Sequence, residues 1–380
     1  MTTRRHILIG LIGSASAATL AACAPDTTTA ESPTPEPPPT PTPSPTPEAP
    51  SPTPEPTPEP APEPAVLAPL TWLPVADPNS VLGPAVALKV PNLKQENPQT
   101  AGFADADMWF CQPNGDAATR LVPVFHSTYP EAVGPIRSMR PVDVPLFSPL
   151  NLILGNTGAA DWVMKYIKAH DDNLERMTYL EWRDTGAYTV DRSRVYKANG
   201  KNQFDRAIMA HPAVMALKAE RMKAAPPSDY LPFVDDPTAA STANGSPASH
   251  VVVPYGRNHA MSYEFDAGSG RYARSQPWGA HEVEGGTRLA SENVLIIQAK
   301  WWYDKIWKGT GAADPVVDII DSTGPFTYLN QGKAVTGTWT KGGLAEKFVF
   351  ALDDGSPLAV APGRTWIELP HTKAEISVSA

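Results

Sequence analysis

Proline density near the start of the chain constrains the fold more than any other feature of the sequence. Residues 33–64 contain 17 prolines in 32 positions, separated mostly by Thr, Ser, Glu and Ala. Proline fixes φ and lacks the backbone N–H that helices and sheets need, and the intervening side chains carry too little apolar surface to offset chain entropy. The sequence therefore predicts a disordered spacer over residues 24–66 and leaves residues 67–380 to build a core.

The first 23 residues have the pattern of an export signal. Arg4 and Arg5 precede an apolar stretch over residues 7–22, and the sequence Leu-Ala-Ala-Cys ends it. A basic start, a short apolar segment and small residues before a cut site are typical of secretion signals, and the paired arginines resemble the twin-arginine type. The ending resembles a bacterial lipobox, in which Cys23 is lipidated and becomes the first residue of the mature chain. The alternative is a plain signal peptide with a chance cysteine.

The charge of the chain is distributed unevenly. The chain has 31 basic and 40 acidic residues, but residues 24–66 contain seven of the acidic residues and no basic one. The remainder is mildly acidic, which argues against nucleic acid as a partner because binding to phosphate backbones needs a basic surface. The export signal and the lipobox together predict a cell-envelope protein that a lipid anchor at Cys23 holds at the outer face of the cell membrane.

Two structural patterns follow the spacer. Up to about residue 230, strand-like segments alternate with helical ones, which include a helix over residues 160–170 and a broken helix over residues 204–222. Beyond that, short strand-like segments separated by Gly and Asp turns dominate. The sequence predicts an α/β or α+β amino-terminal domain and a mainly β carboxy-terminal domain. The predicted divisions are the signal 1–23, the spacer 24–66, the amino-terminal domain 67–230, the inter-domain loop 231–248 and the carboxy-terminal domain 249–380.

Several segments of both halves together resemble a known bacterial family. The most specific are Gly-Pro-Ile-Arg-Ser-Met-Arg at residues 134–140 and Pro-Gly-Arg-Thr-Trp at residues 362–366, and Gly-Phe-Ala-Asp-Ala-Asp occurs at residues 102–107. Their order is similar to that in the YerB-like lipoproteins, which have amino- and carboxy-terminal domains of unknown function. The resemblance implies a membrane-anchored exported protein and no established reaction. Where family members often carry Glu, this chain has Cys111, and Asp116 is the nearest carboxylate in the turn that follows.

Three arginines are the strongest candidates for a binding site. Arg120 opens a strand-like segment, and Arg137 and Arg140 follow a Gly-Pro turn. Arginine is suited to bidentate recognition of phosphate and carboxylate. The hypothesis is a pocket for an anionic envelope component such as a cell-wall glycan. The alternative is that these arginines pair with neighbouring aspartates and fix the loops in place.

Those aspartates, Asp107, Asp116 and Asp143, are also weak candidates for catalysis. Hydrolysis of a cell-wall glycan by paired carboxylates needs two of them ~5 to ~9.5 Å apart. The sequence lacks the usual signatures of nucleotide-binding, serine-hydrolase and zinc sites, and its histidines have no metal-ligand spacing. It therefore favours a non-catalytic binding protein without metal or cofactor. A glycan hydrolase and a structural partner in the assembly of other envelope proteins, of unknown identity, are the alternatives.

Tryptophans and a second cysteine complete the candidates. Trp301, Trp302 and Trp307 flank a strand, so that one of the neighbouring pair faces outward, where it could stack on a sugar ring. The alternative is that they pack between the two domains. Cys111 follows two aromatic residues, which favours a buried small hydrophobe over a reactive thiol.

Overall fold

The structure, a computed structural model, describes residues 65–115, 118–303 and 314–380. The predicted signal, the lipidation site Cys23 and nearly all of the spacer therefore lie outside the described residues, as do Asp116 and Trp307. Within the described ranges, no helix is both long enough and apolar enough to cross a membrane.

The amino-terminal half alternates strands with short helices. Its strands are β1 (Val86–Leu88), β2 (Val90–Asn92), β3 (Met108–Pro113), β4 (Thr119–Phe125), β5 (Leu152–Asn156), β6 (Leu174–Thr178), β7 (Tyr188–Val190), β8 (Tyr196–Ala198), β9 (Lys201–Gln203) and β10 (Ile208–Ala210). Its α-helices are α1 (Asp143–Phe147), α2 (Asp161–Lys168), α3 (Tyr179–Trp182) and α4 (Pro212–Lys218). Short 3-10 helices lie at Pro78–Val81, Lys94–Glu96, Ala101–Asp105, Ser148–Leu150, Arg183–Thr185 and Arg192–Arg194.

One predicted helix is present and another is only partly so. Helix α2 forms where the sequence predicts it and buries Val163 and Ile167 on one face. The segment 204–222, expected to be a broken helix, contains strand β10 before α4. Strand β10 pairs with β7, and these cross-strand hydrogen bonds override the helical propensity of its residues. Pro212 then occupies the first turn of α4, the helical position that tolerates proline.

The carboxy-terminal half is mainly strand. Two 3-10 helices, Pro237–Ala239 and Ser241–Asn244, precede or enter it. Its strands are β11 (Ser246–Pro247), β12 (His250–Pro254), β13 (Ala260–Asp266), β14 (Arg271–Gln276), β15 (Gly279–Ala280), β16 (Ala290–Ser291), β17 (Asn293–Ile297), β18 (Lys300–Tyr303), β19 (Pro315–Asp318), β20 (Ser322–Asn330), β21 (Lys333–Lys341), β22 (Val349–Leu352), β23 (Thr365–Glu368) and β24 (Ser377–Ser379). The predicted fold class, mixed α/β followed by mainly β, is confirmed.

A 12-stranded sheet joins the two halves. Its order is β11-β21-β20-β17-β23-β3-β4-β1-β5-β6, with β2 beside β4 and β22 beside β21. Strand β23, near the end of the chain, lies between β17 and β3 and runs parallel to both. The backbone of the amino-terminal half is therefore hydrogen-bonded directly to that of the carboxy-terminal half. The domain boundary predicted at residues 231–248 stays a prediction. The large sheet contains strands from both sides of it.

The two faces of this sheet belong to two hydrophobic clusters. Successive residues of a strand point to opposite faces, and in β3 Met108 and Phe110 join one cluster while Trp109 and Cys111 join the other. Each cluster contains residues of both halves. Cys111 is fully buried, as the sequence predicts, and burial raises the pKa of its thiol.

Candidate anion-binding site

The predicted arginines lie at one edge of the large sheet. Strands β1 and β5 are parallel, and β3 runs in the same direction because β4 is antiparallel to both β1 and β3. The carboxyl ends of β1, β3 and β5 therefore share an edge with the start of β4, where Arg120 lies. Ligands of open α/β sheets commonly bind at this edge.

The Gly-Pro motif lays its two arginines across the same edge. Arg137 N donates to Lys89 O, directly after β1, at 2.7 Å, and Thr157 N, directly after β5, donates to Arg137 O at 3.0 Å. The loop also packs tightly against β10. A Cβ at Gly134 would overlap Met209 Sδ and lie 2.9 Å from Ile208 O, so this approach requires glycine.

Arg137 is held by two carboxylates. Its Nε donates to Glu96 Oε2 at 3.1 Å, its Nη2 donates to Glu96 Oε1, and the same Nη2 donates to Asp205 Oδ2 at 3.0 Å. Burial lowers the pKa of Arg137, but the two carboxylates outweigh burial and raise it overall. Arg137 therefore has strong protein partners of its own.

Arg140 is also paired. Its Nε lies 2.9 Å from Asp314 Oδ1 and donates to Asn114 Oδ1 at 2.8 Å, and its Nη1 donates to the carbonyl of Met139. Burial lowers the pKa of Arg140, and Asp314 and Asp143 partly oppose that effect. Its contact with Asp143 is through the backbone, where Arg140 N donates to Asp143 Oδ2 at 2.7 Å.

Arg120 differs from its neighbours because none of the carboxylates in residues 65–115, 118–303 and 314–380 pairs with it. Only 6% of the residue is exposed, and its one hydrogen bond in the described part of the chain is a long one, from Nη2 to Asn114 Oδ1 at 3.5 Å. Its Nε is buried without a partner. Burial, and then the positive charges of Arg140 and Arg137, lower the pKa of Arg120 to about 9. An anion placed here would relieve both the charge repulsion and the unpaired donor.

A buried ion pair lies beneath the arginines. Lys89 Nζ is 2.5 Å from Asp143 Oδ1, and both side chains are fully buried. Gln112 Nε2 also donates to Asp143 Oδ1, at 3.0 Å. Burial lowers the pKa of Lys89 to about 8, although Asp143 raises it. Both oxygens of Asp143 thus accept hydrogen bonds from the protein, and Asp143 holds the loop that carries Arg137 and Arg140 in place.

Asp107 lies at the opposite edge of the sheet. It precedes β3, and it accepts hydrogen bonds from His126 N at 2.6 Å, from Ser127 N at 2.9 Å and from Ser127 Oγ at 2.5 Å. Gln112, which contacts Asp143, is near the other end of β3. At ~3.3 Å per residue the two ends are roughly 16 Å apart. The structure does not bring Asp107 and Asp143 together as a carboxylate pair.

Comparison with known proteins identifies the family. Two models of the family described as "Protein of unknown function (DUF3048)" match the chain, the N-terminal domain over residues 70–210 and the C-terminal domain over residues 251–367. The chain belongs to this family. The resemblance predicted from the motifs is confirmed, and the arginine loop lies in the matched N-terminal domain.

Two matches from Bacillus subtilis agree with the DUF3048 assignment. The protein "Putative lipoprotein YerB" of strain 168 is 25% identical over 320 residues, which are 82% of this chain and 88% of that protein. The crystal structure of YerB from Bacillus subtilis aligns with a TM-score of 0.64 and 24% identity, and covers 82% of this chain and 99% of that one. The second match shows that the fold is shared.

Most of the side chains that contact the arginines in this DUF3048 protein are not indicated by its sequence. The arginine partners Glu96, Asp205 and Asp314 are far away in sequence, and no local spacing indicates them. Lys89 did leave a signal, because it is a single charge inside the apolar run 85–90. A lone charge in such a run predicts a buried, paired group.

Proposed function

We propose that this chain is an exported, lipid-anchored cell-envelope protein whose folded part is a non-catalytic module that binds an anionic envelope component. The anchor is Cys23 and the spacer is residues 24–66. The description of the YerB relative as a lipoprotein supports the anchor. The binding site is the cluster of Arg120, Arg137 and Arg140.

The guanidinium of Arg120, which has no carboxylate partner within the described part of the chain, carries this proposal. Arg137 and Arg140 are each neutralised by carboxylates of the protein, so their role in this proposal is to hold the loop beside Arg120 in place. Arg120 has a buried Nε without a partner and a lowered pKa. A phosphate or carboxylate oxygen would complete its hydrogen bonds, and a charge-assisted bond of this kind contributes ~1.5–3 kcal/mol.

An aromatic cavity beside the cluster suits the sugar part of such a ligand. Its volume is about 300 Å³, and Pro141, Trp162, Tyr166 and Trp302 are among the residues that line it. Pro141 directly follows Arg140, so the cavity adjoins the arginines. Trp302 is 43% exposed, so part of its aromatic ring is accessible to a sugar. This arrangement favours a glycan that carries phosphate or carboxylate groups.

The test is a calorimetric titration with a soluble bacterial phosphoglycan. Arg120→Lys keeps the charge but loses the planar fork, so we expect its affinity to fall ~10-fold or more. Its melting temperature should change little, because the Arg120 side chain makes only one long hydrogen bond to the described residues. Arg137→Lys should instead lower the melting temperature, since Glu96 loses its bidentate contact and Asp205 loses its hydrogen bond from Nη2. The exposed Arg257 gives the matched control, and Arg257→Gln should bind like the parent.

Equal affinity of the parent and Arg120→Lys would contradict the proposed site. If no phosphoglycan binds at all, a structural role in the assembly of other envelope proteins becomes the better account. The structure adds no support for the glycan hydrolase alternative, because Asp107 and Asp143 lie at opposite edges of the sheet and Asp116 is outside the described residues.

The anchor has its own test. In cells that carry Cys23→Ala, we expect the protein to leave the membrane fraction, because the lipidated thiol is gone and the apolar stretch before it is too short to act as a stable span. Fractionation followed by mass spectrometry of the mature chain measures this. A variant that stays membrane-bound with the mature mass of the parent would show that the lipobox assignment is wrong.

A further inference from the structure

A polar cavity, distinct from the aromatic one, lies at the opposite edge of the large sheet from the arginine cluster. Its volume is about 320 Å³, and Leu73, Val75, Asp105, Asp107 and Arg364 are among the residues that line it. This volume is at the lower end of the range for small-molecule sites, ~300–1,000 Å³. The site therefore suits a small ligand.

Two family motifs from opposite halves of the chain meet at this cavity. Asp107 directly precedes β3, and Arg364 directly precedes β23. In the parallel pairing of these strands Thr365 is opposite Met108, which sets Arg364 beside Asp107, with strand axes ~4.8 Å apart. The motifs at residues 102–107 and 362–366, which the arginine cluster does not use, therefore both contribute to the lining of this cavity, together with residues 68–75 and 127–128.

Opposite charges line this cavity without pairing with each other. Asp105 is exposed and forms no hydrogen bond or ion pair in the described part of the chain. Arg364 donates from Nη1 to Ala104 O at 3.0 Å, and its guanidinium lies 5.8 Å from the ring centre of Trp109. No carboxylate of the described residues lies within 4 Å of the Arg364 guanidinium nitrogens, although the backbone N of Arg364 donates to Glu292 Oε2 at 2.9 Å. Both oxygens of Asp107 are already occupied by residues 126 and 127.

We propose that this cavity binds a small zwitterion, with the ligand carboxylate on Arg364 and the ligand ammonium group on Asp105. Arg364 has donors left on its fork for a bidentate contact, and Asp105 has both oxygens free. Leu73 and Val75 give the apolar wall that short aliphatic groups between the two charges would contact. Free amino acids and short peptides have this chemistry, and a simple anion would satisfy only half of the site.

The probe for this site is dialanine, which carries one ammonium and one carboxylate group at neutral pH. Titration of the ¹⁵N-labelled protein, followed by NMR, should give saturable shifts at residues 102–107 and 362–366. N-acetyl-dialanine lacks the ammonium group and dialanine amide lacks the carboxylate, and we expect each to bind ~10-fold more weakly or worse. The two charges of the ligand are thereby tested separately.

Matched variants assign each charge to its residue. Asp105→Asn should bind dialanine and N-acetyl-dialanine equally, and Arg364→Gln should bind dialanine and dialanine amide equally. Arg257→Gln should behave like the parent. Asp105 is exposed and unpaired, so its variant tests the proposal even if Arg364→Gln is unstable, in which case Arg364→Lys replaces it.

Two results would overturn the zwitterion site. One is that dialanine leaves the spectrum of the parent unchanged at millimolar concentration. The other is that N-acetyl-dialanine binds as tightly as dialanine, which would mean an anion site at Arg364 alone. Because the arginine cluster lies at the other edge of the sheet, neither result bears on the phosphoglycan proposal.

Discussion

Residues 65–230 and residues 245–380, expressed separately, are each expected to lack a cooperative unfolding transition, whereas residues 65–380 unfold in a single one. Strand β23 explains this expectation. It comes from the last part of the chain and lies between β17 and β3, so the cut removes the parallel neighbour of β3. Trp366 of β23 stacks on Trp109 of β3 with ring centres 5.2 Å apart, and both are buried. Each fragment would keep only one of these two tryptophans and would expose its apolar surface to water.

Thermal unfolding followed by near-ultraviolet circular dichroism measures the effect. The intact 65–380 chain is the control, and a mixture of both fragments should recover part of the aromatic signal because the missing strand is supplied in trans. A sharp transition in either fragment alone would show that the predicted domains 67–230 and 249–380 each have a sufficient core, despite the shared sheet.

Arg274→Met is expected to destabilise the protein by ~3–5 kcal/mol, because it leaves Glu368 as a buried charge without its cation. Both side chains are fully buried. Glu368 Oε1 accepts from Arg274 Nε at 3.2 Å, from Arg274 Nη2 at 3.1 Å and from the hydroxyl of Tyr263. Its Oε2 accepts from Tyr255 OH at 2.8 Å. The tyrosine hydroxyls remain in the variant but cannot neutralise the carboxylate.

Urea-induced unfolding gives the free energy of unfolding for this series. The double variant Arg274→Met/Glu368→Gln should regain more than half of the loss, since the Gln amide keeps an acceptor for the tyrosines without a charge. Arg271→Met is the matched control. Arg271 pairs with Glu292 but is 42% exposed, so its loss should stay below ~1 kcal/mol. If Arg274→Met and Arg271→Met lower the free energy of unfolding by the same amount, the buried pair of Arg274 and Glu368 contributes no more to stability than the exposed pair.

Local sequence patterns predicted the elements of this fold better than their arrangement. The strand-like segments on either side of the polar turn at residues 113–118 predict β3 and β4, and the helical spacing of Val163 and Ile167 predicts α2, because these patterns depend on near neighbours. The pairing of β23 with β3 depends on contacts more than 250 residues apart along the chain. Periodicity carries no information about such a contact, and for that reason the crossing of the predicted domain boundary did not appear in the sequence.

The sequence indicated three arginines that the structure brings together, but it did not indicate what they contact. The Gly-Pro turn and the type of residue indicated Arg120, Arg137 and Arg140, and the structure places all three at one edge of the sheet. Their partners could not be predicted, because Glu96, Asp205 and Asp314 reach them through the tertiary fold. Which arginine stays unpaired is decided by those partners, so the distinct role of Arg120 becomes visible only in the structure.

The most direct test of the central claim is to observe the Arg120 guanidinium itself during binding. In ¹⁵N-labelled protein, the Nε–Hε resonance of Arg120 can be assigned by its absence in Arg120→Lys. On titration with a soluble bacterial phosphoglycan, we expect this resonance to shift saturably, as Nε gains a hydrogen bond to the ligand, and not to shift with the same glycan after its phosphate groups are removed. An unchanged Arg120 resonance at a phosphoglycan concentration that saturates binding elsewhere on the protein would contradict the proposed site.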